Sequence, residues 1–232
     1  MLSGSRLTVP GLAAVAALSL VAAGLLSLAG CTDLDEASAA SITQDSVVSE
    51  MSTQLARVTG LTYTATYQLT GGGRATVTQA QKPTRTAYVY PGGRLIETTT
   101  GTIRCSGDAS LTCTETDPAP PTATPLAGST LITPEAALAM LNEAALDRDL
   151  VADQHDTTIA GHHATCLDLS GVDGTPTSKF GLCVTNEGAL GSFTATIAGR
   201  RFEQALTTYA DKAAPETFVL PRSAKLADKR TN

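Results

Sequence analysis

Residues 61–69, Leu-Thr-Tyr-Thr-Ala-Thr-Tyr-Gln-Leu, alternate without a break between apolar and polar side chains. Successive side chains of an extended chain point to opposite faces, so Leu61, Tyr63, Ala65, Tyr67 and Leu69 share one face and the Thr/Gln set shares the other. A strand with one apolar face is what this spacing predicts. The stretches that follow repeat the theme. Gly71-Gly72-Gly73 turns into a strand over 74–81 that carries Val77. Lys82-Pro83-Thr84 turns into 85–90, Pro91-Gly92-Gly93 turns into 94–100, and 102–105 with 111–115 make a hairpin. Short strands closed by Gly or Pro predict an antiparallel meander.

The meander stops at 117–125, Asp-Pro-Ala-Pro-Pro-Thr-Ala-Thr-Pro. That segment is too rich in proline for either regular structure and reads as a crossing. Thr133-Pro134-Glu135 then supplies an N-cap, a proline at the first helical position and an acid in the first turn. The pattern predicts a helix from 134 to about 146, with Ala137, Leu138, Leu141 and Ala144 toward the sheet. Strands resume over 156–160, 163–169, 180–185, 191–197 and 202–209, and Ala198-Gly199-Arg200 is short enough for a tight hairpin. Phe218-Val219-Leu220-Pro221 closes the fold. Upstream, Val47, Val48, Met51, Leu55 and Val58 recur at helical spacing before Gly60, which predicts one short amphipathic helix. The expected class is α+β, one domain over 46–221 with about ten strands and two helices, followed by a polar tail, 222–232, expected to be disordered.

Charge and composition narrow the function. A charged fraction of 16% and a net charge of −6 leave no basic surface for nucleic acid. Aromatic residues make up 4% and tryptophan is absent, so the core must pack many small side chains or rely on covalent staples.

The N-terminus has its own pattern. Arg6 precedes an Ala/Leu/Val run over 10–27, and Leu28-Ala29-Gly30-Cys31 is followed by the acidic 32–36. This resembles a bacterial lipoprotein signal, residues 1–30, with its lipobox. The resemblance implies cleavage after Gly30, a diacylglycerol on the Cys31 sulfur and acylation of the new amino terminus, palmitate being the type of chain. It places the protein on the extracytoplasmic face of the cell membrane, attached through acylated Cys31. At ~0.8 kcal/mol per buried CH₂, two acyl chains hold a protein on a bilayer for long times, where one is marginal. The alternative is that 12–29 remains as a spanning helix, since nearly twenty apolar residues can cross a core of about 30 Å. The Ser/Ala/Thr/Asp-rich stretch up to residue 45 reads as a flexible tether over 31–45.

With Cys31 set aside, Cys105, Cys113, Cys166 and Cys183 remain, an even number for an oxidising compartment. Three pairings are formally open. Cys105 and Cys113 are symmetric about Ala109, and Cys166 and Cys183 flank the turn-rich 171–176, so two local bridges are expected. The absence of Cys-x-x-Cys argues against a redox or zinc role.

No catalytic pattern emerges. There is no Gly-x-Ser-x-Gly, no His-Glu-x-x-His, and the Gly71-Gly72-Gly73 turn leads into a strand, not a helix that could hold a phosphate. His162 and His163 are adjacent and point to opposite faces of a strand. With His155 they read as solvated histidines, and Asp147, Asp149 and Asp153 read as surface charge past a helix end. No catalytic residue, metal or cofactor is expected.

The order of parts resembles a family. A lipobox, a spacer, a short helix, a Tyr-x-x-x-Tyr first strand (Tyr63, Tyr67), a meander, a Pro-rich crossing with a helix, and a second meander ending in Phe218-x-Leu220-Pro221 are similar to the actinobacterial lipoproteins of the lipoprotein-carrier (Lol-type) half-barrel superfamily. Ile159-Ala160-Gly161, Ala164-x-Cys166, Cys183-Val184 and Gly188 match its second half. The resemblance implies a strongly curved antiparallel half-barrel sheet with one or two helices covering the concave face, and a cavity for acyl chains or an acylated ligand such as a lipid or lipoglycan, bound without catalysis. Tyr63, Tyr67, Val77, Tyr88, Tyr90, Leu138, Leu141, Phe193 and Ile197 are the expected lining, with Leu95 beside them. The competing reading is that these residues are simply core under the helices, and that the chain is an envelope sensor or protein-interaction module of the same fold, with its partner unspecified.

Overall fold

The computed structural model describes residues 32–107, 110–119 and 125–231. Cys31 and the apolar run before it lie outside the described residues. Among those described, no helix is long and apolar enough to cross a membrane.

The fold is α+β, with two α-helices on one open, mixed sheet of 12 strands, two more strands than expected. The first meander is β1 (Tyr63–Leu69), β2 (Arg74–Gln81), β3 (Thr84–Tyr90), β4 (Gly93–Thr98), β5 (Thr102–Ser106) and β6 (Thr112–Thr116). The second is β7 (Val151–Ile159), β8 (His162–Ser170), β9 (Lys179–Thr185), β10 (Leu190–Ile197) and β11 (Arg200–Ala210). Each meander pairs antiparallel in sequence order, and the two fuse where β11 lies against β1. That seam runs from Thr64 opposite Ala210 to Leu69 opposite Gln204, with a bulge between Thr66 and Tyr67. Positive φ at Ala160 and Gly161, and again at Ala198 and Gly199, makes the β7–β8 and β10–β11 links two-residue hairpins whose twist matches the strands.

Alternation dictates the faces. In β1 every second residue from Tyr63 to Leu69 is buried, and the helices cover this same side of the sheet. Helix α2 (Pro134–Ala144) starts as its sequence predicts: Thr133 accepts a hydrogen bond from the Ala136 amide and Pro134 opens the first turn. Its buried stripe is Ala136, Ala137, Met140, Leu141 and Ala144. Leu138 is a correction, since it is only partly buried and turns toward the groove between the helices. At 100° per residue it lies off the sheet-facing stripe centred on Met140.

Two other expectations are overturned. Helix α1 spans Thr32–Ala56, so the stretch read as a flexible tether is helical. Alanine has high helix propensity, and the segment continues directly into the turns that carry Val48, Met51 and Leu55 to the core. The C-terminal stretch is ordered as well. Strand β12 (Lys225–Asp228) pairs parallel to β6, and Arg230 forms ion pairs with Glu115 at 3.1 Å and Asp228 at 2.7 Å. An exposed edge strand has no core side, so its polarity concealed it.

The core has two parts. In one, Val48, Met51 and Leu55 of α1 and the α2 stripe pack on Leu167, Leu169, Phe180, Leu182, Phe193 and neighbours. In the other, Val58, Leu126 and Leu131 cover Tyr63, Tyr67, Val77, Tyr88, Tyr90, Leu95 and Leu206.

Both expected disulfides form, Cys105–Cys113 and Cys166–Cys183, each between directly opposed residues with Cα atoms 4.0 and 3.9 Å apart. Both lie on the face away from the helices, because their neighbours Leu167 and Leu182 face the core and Cys105 stands opposite Arg94 while Leu95 points inward. They close loops of 8 and 17 residues. Loop-closure entropy then assigns about 2.5 and about 3 kcal/mol to them. Equilibrium urea unfolding of C105A/C113A and C166A/C183A checks this, with the second pair expected to lose more.

Candidate functional site

The helix face of β1–β4 is where the expected lining residues meet. Tyr63 and Tyr67 lie on the same face of β1, Val77 stands opposite Ala65 on β2, and Tyr88 and Leu95 are opposed on β3 and β4. Tyr63, Tyr67, Val77 and Tyr88 are each 1% exposed, and Tyr90 is 7% exposed. Leu141, Phe193 and Ile197 are buried too, but in the other part of the core, under α1 and α2. The structure therefore divides the nine residues. Five cluster on β1–β3, three belong to the helix-covered half, and Leu138 faces the interhelical groove.

The tyrosine hydroxyls are anchored inside. Tyr67 donates to the Leu190 carbonyl at 2.8 Å, and Tyr88 donates to Glu135 Oε2 at 2.9 Å. Tyr63 stacks on Tyr209 at 5.8 Å, and the His162 ring meets Tyr209 edge-on at 5.2 Å. Burial pushes the phenols of Tyr63, Tyr67 and Tyr88 upward, and the negative charge of Glu135 adds to the effect. They act as neutral donors throughout the physiological range.

Four glutamines hold the covering segments down. Gln204 donates to the Ile132 carbonyl at 3.0 Å and accepts from the Ile132 amide at 2.8 Å, both buried. Gln79 donates to the carbonyls of Val58 at 2.6 Å and Leu61 at 2.9 Å. Gln81 donates to those of Thr59 and Leu61, and Gln54 of α1 donates to the Thr185 carbonyl. The sequence reading passed these residues over. The signal was present: Gln204 occupies the apolar register between Phe202 and Leu206, and Gln79 continues that of Ala75 and Val77. An amide at such a position has to find buried partners.

Glu97 on β4 is the carboxylate most altered by its surroundings here. Its carboxyl is raised to about 7, chiefly by burial and then by the charge of Glu135, with Arg104 opposing them. His162 Nδ1 is 2.9 Å from Glu187 and His155 Nδ1 is 4.0 Å from Asp168. Asp147 accepts from the Asp173 amide at 2.7 Å and so ties down a loop. Among the described residues, no three His, Cys, Asp or Glu side chains are grouped to hold a metal ion. The recesses are open to solvent. One of about 490 Å³ involves the outer face of β8–β11, and one of about 330 Å³ lies between α1 and α2.

No family model matches the chain, and no curated protein does. Among solved structures, the chain is similar to an uncharacterized conserved protein from Thermus thermophilus, with 11% identity and a TM-score of 0.49 over 78% of this chain and 98% of that one. It is also similar to PNGF-II, with 8% identity and a TM-score of 0.37 over 74% of this chain and 32% of that one.

Two outcomes follow from these contacts. Replacing Gln204 with Leu leaves the buried amide and carbonyl of Ile132 unpaired, and about 2–4 kcal/mol of stability should be lost in urea titration. Glu97 binds a proton more tightly when folded than the ordinary value of 4.5 allows. Between pH 4.5 and about 7 the folded state therefore holds more protons than the unfolded state, and stability should fall as pH rises through this window. A series of Tm measurements against pH checks the sign, and Glu97→Gln should flatten this decline.

Proposed function

We propose that this protein is a membrane-tethered, extracytoplasmic module without catalysis, built on the strongly curved half-barrel of the Lol-type superfamily, which works by recognition at its surface. The observation that carries this reading is the filled helix face. Tyr63, Tyr67, Tyr88 and Phe193 of the expected lining are at most 1% exposed, Tyr90 is 7% exposed, and all five are packed against their own chain. An acyl chain carried inside would need that volume. Exposed Leu146 and Val151, at the two ends of the link between α2 and β7, offer apolar contact outside.

Strong curvature is supported by contacts across the sheet. His162 of β8 reaches Tyr209 of β11 although β9 and β10 intervene in the hydrogen-bonded order. The tether is supported by the lipobox ending at Cys31, with α1 beginning at the next residue. From Thr32 to Val48, a buried residue of α1, the helix measures roughly 24 Å at 1.5 Å per residue. A lipid on Cys31 would then hold the domain at the end of a helical stalk.

The second reading is a carrier of a hydrophobic ligand, a lipid or lipoglycan, on the same face. It is favoured by the manner in which the covering segments are attached, since Gln54, Gln79, Gln81 and Gln204 hold their backbones by hydrogen bonds that solvent could replace. Native mass spectrometry with lipid extraction, on protein from a lipid-containing host, separates the two readings. A clean mass, unchanged after incubation with envelope lipids, is expected; a co-purifying lipid at near-stoichiometric ratio would replace surface recognition with the carrier. In parallel, Cys31→Ala should move the protein from the membrane to the soluble fraction, and tight association despite the substitution would support a spanning 12–29 helix.

A further inference from the structure

The outer face of β7–β11 carries an arrangement that neither the core nor the disulfides require. Register places Asp153, Asp168, Gly181, Thr194 and Glu203 in one row across five strands. Two residues along, Ser170 pairs with Lys179, and Thr196 pairs with Arg201. One row thus presents carboxylates and the other cations, with threonine hydroxyls in both, and Arg201 and Glu203 form an ion pair across the two at 2.7 Å, leaving Asp168 and Lys179 without that partner. The Cys166–Cys183 bridge, two residues along on the other side, makes the supporting strands rigid.

Gly181 is the centre of this platform. A methyl group there would lie 2.5 Å from Asp168 Oδ1 and 3.0 Å from Thr194 Oγ1. Its φ is not in the left-handed region, so backbone conformation does not explain the residue. Glycine in a strand interior weakens the strand and marks a place where another group approaches the backbone closely. Here it lets the Asp168 carboxylate and the Thr194 hydroxyl lean over the strand, within the recess of about 490 Å³. Asp168 lies 4.0 Å from the His155 ring nitrogen, and its side chain is 59% exposed.

We propose that this outer-face recess binds a saccharide ring, seated against the Asp168 and Thr194 side chains that cover Gly181 and reaching toward Lys179 and Arg201 in the next row. A sugar hydroxyl both donates and accepts, so neighbouring hydroxyls can donate to Asp168 while accepting from Lys179 or Arg201. A phosphate or polyanion would meet Asp168 and Glu203 at close range. An acyl chain would find charged and hydroxyl-bearing walls. The site is independent of the membrane anchor and of whatever occupies the helix face.

The test is saturation-transfer NMR on the full chain, in a detergent without a sugar headgroup, with methyl α-D-mannopyranoside, N-acetylglucosamine and methyl α-D-glucuronide at millimolar concentration. Transfer to the ring protons of at least one sugar is expected, with amide shifts at Asp168, Gly181 and Thr194. A lost hydrogen bond to a charged group corresponds to a roughly ten- to hundredfold loss of affinity, the effect expected of Asp168→Asn. Gly181→Ala should weaken binding comparably, with little change in Tm, since the closest atoms the methyl meets are side-chain ends. If Gly181→Ala fails to fold, Asp168→Asn alone decides. No transfer to any of the three sugars, or transfer that survives Asp168→Asn undiminished, overturns the proposal.

Discussion

Everything in this molecule depends on the pairing of β1 with β11. Each meander is assembled from neighbours in sequence, and either could form its hairpins locally. Only the β1–β11 ladder, joining residues from opposite ends of the domain, makes them one sheet. It places Tyr67 beside the second half, where its hydroxyl reaches Leu190, and it brings Gln204 under the segment that precedes α2. Contacts so distant in sequence require a large loop-closure entropy to be overcome before they return any stabilisation. The two disulfides work on the opposite side of that balance, since both close local loops and restrict the unfolded chain.

The two faces of the sheet have different chemistry for a common reason. With alternation, whatever the inner side takes in apolar residues is matched by polar residues outside. The inner side is closed by helices and by backbone that glutamine amides hold in place. The outer side holds the bridges, the hydroxyl rows and the charges. A low aromatic content is compatible with this design because the few large rings are concentrated on β1, β3, β9 and β10, where each is enclosed.

Glu97 and Glu135 show how a polar group is tolerated inside. Glu135 stands in the first turn of α2, where the helix dipole favours a negative charge, and it accepts from Tyr88. Glu97, half-buried and facing the charge of Glu135, binds its proton more tightly than an exposed carboxyl does.

What the sequence determined by itself was local. The alternation of 61–69, the Gly and Pro punctuation, the Thr133-Pro134-Glu135 helix start and the two symmetric cysteine pairs each depend on residues a few positions apart, and a short window contains the physics. Its misreadings were also local, because composition alone made the start of α1 look like a linker and β12 look like a tail. Tertiary structure decided how the meanders join, which face each tyrosine fills, and that Leu138 is only partly buried, beside the groove between the helices. It also decided that Asp168, Gly181 and Thr194 stand in one row. Those are matters of register between strands far apart in the chain, and register is set by which buried side chains pack together, which no single stretch of sequence contains.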